Sequence, residues 1–259
     1  MSIEENGAML LHPAVPETVT ASDAVTGYEV SRAFTFLPSE IFDSGPIAGH
    51  LTIDMDFGAA TGLWGIGLIN HNLPAGTVVV VQFSGSGFDL FDSAEEVEIT
   101  IPGESQTPAN VYAFFGRKYR YVRIRIDGLN RVTIGEIFAA KKSLHFENNY
   151  SWGFSAEFTV AKQFDTTDDG IHFETPEYGD SDPVPEYMKL WYRFDDISQL
   201  QHVSLRDIIR VGPKIFIPDA SLPECFHGRC PDSKLPVKHE KGKDVYAFRF
   251  WENAIGVTQ

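Results

Sequence analysis

Two thiols and an imidazole lie close together in Pro223-Glu224-Cys225-Phe226-His227-Gly228-Arg229-Cys230-Pro231. Thiolate and imidazole are soft ligands of the kind that hold Zn²⁺ or an iron–sulfur centre. Cys225, His227 and Cys230 are therefore the metal-ligand candidates, with His239, His202 or a neighbouring subunit left to complete the set. Metal sites usually offer two matched ligand pairs, and this motif lacks a fourth ligand. Two reduced thiols in a turn, with Phe226 packed inward, is the simpler reading, and a disulfide is a third. Asp165-Thr166-Thr167-Asp168-Asp169-Gly170 also gathers acids before a glycine. It lacks the spacing of a twelve-residue Ca²⁺ loop and the glutamate that completes one, so it reads as a solvated turn.

Catalytic signatures are missing. The chain has no Gly-rich phosphate loop, no G-x-S-x-G elbow and no H-E-x-x-H pair. Its 36 acidic residues leave a two-carboxylate glycosidase site open, but no spacing selects a pair. The expectation is a protein that is not an enzyme and has no resident cofactor apart from the metal candidate. Trp64 and Trp251 lie in strand-like runs and read as core. Trp152 sits in the polar-aromatic run Asn148-Asn149-Tyr150-Ser151-Trp152-Gly153-Phe154, where an exposed ring could meet a sugar or another subunit. Asn149-Tyr150-Ser151 is a glycosylation acceptor only in a secreted chain.

Charge is unevenly placed. Up to Gly116 the only basic residue is Arg32, and then Arg117, Lys118, Arg120, Arg123, Arg125, Arg131, Lys141 and Lys142 arrive together. Cross-strand pairing with acidic strands of the same sheet is the simpler explanation. A basic surface facing an acidic neighbour is the functional one. Arg123, Arg125 and Trp152 are accordingly the interface or ligand candidates.

These side chains need elements to hold them, and the hydrophobic pattern supplies strands. Leu51-Thr52-Ile53-Asp54-Met55-Asp56-Phe57 alternates with period two, which predicts a half-buried strand that Gly58 ends. Leu63 to Ile69 reads as a strand buried on both faces, and Asn70 to Gly76 as a turn. Thr77 to Ser84 is rich in β-branched residues. Glu95 to Ile101 and Tyr119 to Asp127 alternate again. In the latter, Val122, Ile124 and Ile126 face one way and Tyr121, Arg123 and Arg125 the other. Val132 to Phe138 is the next strand. Further on, Phe154 to Ala161, Met188 to Phe194, Lys214 to Pro218 and Val245 to Glu252 read as strands. The segment from Asp195 to Val203 is the best helix candidate.

Short strands with turns between them predict a mainly β protein, a sandwich followed by a second β-rich (α+β) part with one or two short helices. The expected organisation is an N-terminal arm or edge strand over 1–20, a sandwich over 21–142 and an assembly domain over 143–259. The boundary falls near Ala139 to Leu144, and the acidic segment 165–185 reads as a long loop. At 43% hydrophobic and 22% charged residues the chain is globular rather than disordered. A net charge of −15 disfavours nucleic acid as a partner, because phosphate binding needs Lys and Arg. Met1-Ser2-Ile3-Glu4-Glu5-Asn6 does not read as a signal peptide, and no apolar run is long enough to span a bilayer. Cytoplasmic synthesis without a membrane partner is the expectation, and a reducing compartment weighs against a disulfide scaffold.

The order of motifs carries a resemblance. Trp64-Gly65-Ile66-Gly67-Leu68-Ile69-Asn70-His71-Asn72-Leu73-Pro74 comes first, then a strand ending in Ser84-Gly85-Ser86. Arg120-Tyr121-Val122-Arg123-Ile124-Arg125-Ile126 and Ile134-Gly135-Glu136-Ile137-Phe138-Ala139 follow. Together they resemble the galactose-binding-like (discoidin-type) β-sandwich, in particular the versions in tailed-bacteriophage tail and baseplate proteins. The second half is similar in layout to the ring-forming parts of siphophage distal tail proteins. This resemblance implies a structural virion protein in a tail-tip or baseplate ring, linking tail tube to baseplate or fibres. It implies a hexameric ring, other tail or baseplate proteins as partners, and a place at the virion tail tip after assembly in the host cytoplasm. No ligand-binding residue carries over, because the loops match no defined motif. The alternative is a carbohydrate-binding module for a host surface glycan. A glycoside hydrolase ranks third.

Overall fold

The computed structural model describes residues 9–36, 40–88, 95–101, 110–145, 155–160, 163–166, 172–175, 186–195, 214–217, 226–229, 237–240 and 243–252. The protein is mainly β. Its first eight strands are β1 (Met9–Ala14), β2 (Thr18–Ala21), β3 (Phe42–Asp43), β4 (His50–His71), β5 (Val78–Ser84), β6 (Glu95–Thr100), β7 (Asn110–Asp127) and β8 (Thr133–His145). Eight more follow: β9 (Ser155–Val160), β10 (Gln163–Thr166), β11 (His172–Thr175), β12 (Glu186–Asp195), β13 (Lys214–Ile217), β14 (Phe226–Arg229), β15 (Val237–Glu240) and β16 (Lys243–Glu252). A five-residue 3-10 turn, Val30–Phe34, is the helical element among the described residues.

All strands but β10 and β11 join one antiparallel sheet, ordered β6-β5-β7-β4-β8-β1-β13-β14-β16-β12-β9, with β2 and β3 added to β4 and β8 and β15 to β16. The sheet curls so that β3 to β8 enclose one apolar cluster. Leu51, Ile53, Met55, Val79, Val81, Val122, Ile124 and Ile126 all belong to it. The alternation read from the sequence is what builds this core, since every second side chain of a strand shares a face.

Gly58 does not end the strand predicted before it. β4 continues for 22 residues, and its pairing with β7 shifts register between Asp56 and Thr61. Gly58 sits in that irregularity with φ +71°, and a Cβ there would collide with the Glu17 carboxylate. The bulge bends the strand and lets it serve two neighbourhoods. Its first part pairs with β2, and its second part pairs with β8.

Several other expectations change. The segment read as an arm or edge strand holds β1, an internal strand between β8 and β13. Met9, Leu10 and Leu11 are fully buried, which explains their lack of alternation. β8 runs unbroken through 139–144, where a boundary is expected. The acidic segment 165–185 is not all loop, because β11 pairs with β10. Trp64, read as core, is 37% exposed. β14 puts Phe226 to Arg229 in a strand rather than a turn. The helix candidate lies outside the described residues except for Asp195, which ends β12.

Candidate functional site

On the outward face of β2, β4 and β7 the register assembles two rows of polar side chains. One row is Thr20, Asp54 and Arg123, and the other is Thr18, Asp56 and Tyr121. Each stands next to an inward residue on its own strand: Val19 and Ala21 on β2, Ile53 and Met55 on β4, Val122 and Ile124 on β7 pack on the core. The core therefore fixes where the outward groups stand. The turn after β5 adds a wall. Ser84 Oγ accepts from the backbone N–H of Ser86 at 3.3 Å and of Gly87 at 3.2 Å. That tight turn returns Phe88 over the sheet, with the Arg123 guanidinium 4.5 Å from its ring centroid. The Phe88 and Tyr121 rings meet edge to face at 6.5 Å. The result is an open groove of about 300 Å³.

The charges in and beside the groove are paired. Arg123 Nε and Nη2 donate to the two Asp54 oxygens at 2.6 and 2.7 Å, a fork that fixes both side chains. Arg120 grips Asp56 in the same way, at 2.8 Å for each bond, and lies 4.8 Å from the Tyr121 ring centroid. The Gly58 N–H adds a third bond to Asp56 at 2.7 Å. The Arg120 hydrogen bonds, outweighing partial burial, hold the Asp56 carboxyl below the usual carboxylate range. The Asp54 hydrogen bonds push Arg123 further up, against the opposing effect of burial. Both groups stay ionised at neutral pH.

The expected cross-strand charge pairs are thus present, and Arg117 Nη2 reaches Glu95 on β6, beyond β5, at 2.6 Å. Arg123 lies in the groove. Arg125 does not line it and pairs instead with Asp127 on its own strand at 2.9 Å. Trp152, Cys225 and Cys230 lie outside the described residues, and His227 is on β14 opposite Ile215. Among the described residues no three His, Cys, Asp or Glu side chains converge as a metal site would require. Sequence reasoning did not select Thr18, Thr20, Asp54, Asp56 or Phe88. The alternating Asp54 and Asp56 were the available signal, but their partners depend on register.

The Glu136 carboxyl is treated differently. Glu136 on β8 is fully buried, on the face opposite the core residues Ile137 and Ala139. Its Oε2 accepts from the Phe36 N–H at 2.9 Å, where the chain turns through a positive φ of 63°. Among the described residues Oε1 has no hydrogen-bond partner. Burial pushes this carboxyl up to about 9, against the lowering effect of the Phe36 bond. It is therefore protonated at neutral pH. His71, at the end of β4, is pushed by burial down to about 4, and its Nδ1 accepts from the Leu73 N–H at 3.2 Å.

No protein-family model matches the chain, and no curated protein does. Similar folds occur among solved structures. Chitosan-binding module 1 of a chitosanase/glucanase from Paenibacillus sp. IK-5 is 20% identical, over 49% of this chain and 97% of that one, with a TM-score of 0.42. The lectin domain of Lectinolysin, complexed with Lewis B antigen, is 14% identical over 48% and 92%, with a TM-score of 0.39. A pectin-binding carbohydrate-binding module is 16% identical over 49% and 91%, with a TM-score of 0.38. At such identities and scores these likenesses identify neither a ligand nor a site for this chain.

Proposed function

We propose that this protein is a non-catalytic glycan-binding protein whose ligand lies in the β2–β4–β7 groove. The observation that carries this reading is Arg123, which holds Asp54 through a two-point fork and also lies against the Phe88 ring. Sugars offer hydroxyls that need donors and acceptors side by side, and C–H faces that pack on aromatic rings. An open groove with a few convergent polar groups and two rings meets both needs. A hydrolase would need one carboxyl held protonated beside the scissile bond. Asp56 is biased the other way, and the protonated Glu136 is sealed in the protein and does not line the groove. Retention of the full chain on a glycan array tests the reading. Arg123→Ala and Phe88→Ala should each abolish retention while circular dichroism stays unchanged; retention that survives both removes the groove from the account.

The residues that resemble phage tail proteins support a second reading, a tail-tip ring subunit located in the virion. Native mass spectrometry separates the two. A hexamer favours the ring, and a monomer retained on glycans favours the groove. In either case the proposed organisation is a sandwich over 21–142 and an assembly region over 143–259, with β8 running from one into the other.

A further inference from the structure

Resting on the glycan reading, we infer that the groove selects uncharged glycans and presents the Asp54–Arg123 pair to two adjacent hydroxyls of one sugar ring. Both side chains remain partly open, at 34% and 25% exposure. A guanidinium has five N–H donors, and Arg123 spends two on Asp54. Each Asp54 oxygen accepts one of those bonds and keeps a further lone pair. A free donor and a free acceptor therefore lie side by side, held in place by a short fork. One ring hydroxyl can accept from Arg123 while its neighbour donates to Asp54. Thr18 and Thr20, exposed on β2, add hydroxyls that both donate and accept.

The same pairing works against charged sugars. A sulfate or uronate would compete with Asp54 for the Arg123 fork. An amino sugar would compete with Arg123 for Asp54. Either exchange breaks the fork to make the new contact and gains no net charge pair, whereas neutral hydroxyls add bonds while the fork stays intact. Asp56 offers no spare charge, because Arg120 already neutralises it. The net charge of −15 adds a long-range bias against polyanions.

The test uses the full chain and matched oligosaccharides: neutral, sulfated, uronate-bearing and 2-amino forms of one backbone, and a deoxy form lacking one hydroxyl of the adjacent pair. Titration calorimetry should give affinity for the neutral form and at least about tenfold weaker binding of each other form. Raising NaCl from about 50 to about 500 mM should change the neutral affinity by less than about twofold, because no net charge is exchanged. Asp54→Asn, which frees the Arg123 guanidinium, should shift preference toward the sulfated form. Tighter binding of a charged form by the unaltered protein, equal binding of the deoxy form, or an unchanged preference in Asp54→Asn overturns the inference and leaves glycan binding standing. Failure to bind any form of any backbone on the array removes the glycan reading itself.

Discussion

Two carboxyl groups bring out the contrast between the groove and the interior beside β8: Asp54 in the first and Glu136 in the second. Asp54 stands a third exposed and meets a guanidinium on the neighbouring strand. Glu136 is sealed, has one backbone donor and, among the described residues, one oxygen without a partner, and keeps its proton. Both residues sit on paired antiparallel strands, so secondary structure does not distinguish them. Access to water and the identity of the cross-strand neighbour do. Arg123 faces Asp54 in the register, whereas Ile69 faces Glu136. A paired charge at a wet surface adds little stability but holds a fixed, usable geometry. An unpaired buried acid costs stability whenever the solution favours its ionised form.

The largest expected effect tests whether the groove is a surface or part of the core. Ile124 follows Arg123 on β7 and is fully buried. Ile124→Ala should cost about 2–5 kcal/mol by removing buried methyl groups and leaving a cavity. Denaturant unfolding measures this as a drop in midpoint. A loss no larger than that from an exposed site would show that the core is misplaced.

Next comes the pH dependence of Glu136. Its folded value, about 9, lies above the unfolded value of 4.5. Between those limits the native state holds a proton that the unfolded chain releases, so stability falls as pH rises. The contribution is about 1.4 kcal/mol per pH unit. Glu136→Gln lacks this proton. Unfolding at two pH values between 5 and 8.5 should show the variant gaining on the parent by about that amount per unit. A constant gap between the two would mean that Glu136 is ionised or hydrated.

The smallest effect belongs to Arg123→Ala. Its partner Asp54 can still be solvated, so stability should fall by about 1 kcal/mol or less even as binding is lost. A stability cost equal to that of Ile124→Ala would erase the contrast between groove and interior.

Much of the first half was legible because alternation is a local signal. The inward residues of β6, of Leu51 to Phe57 in β4 and of Tyr119 to Asp127 in β7 follow from period-two patterning. Where a strand is buried on both faces, as at Met9 to Leu11, alternation vanishes, and the same residues look like an unstructured arm. Gly58 looks like a stop for a related reason, although β4 runs through it. A glycine marks both strand ends and bulges, and only the pairing on either side tells them apart.

The sequence by itself determined that this chain is mainly β and which side chains of its alternating strands point inward. It did so because those properties depend on spacing of a few residues. The tertiary structure decided which acid meets which base, that Phe88 returns over Arg123, and that Glu136 is shut away from water while Asp54 is not. Register and closure of the sheet set these outcomes. They join residues far apart in the chain, such as Thr20 and Arg123 across Asp54, and no local pattern records such a meeting.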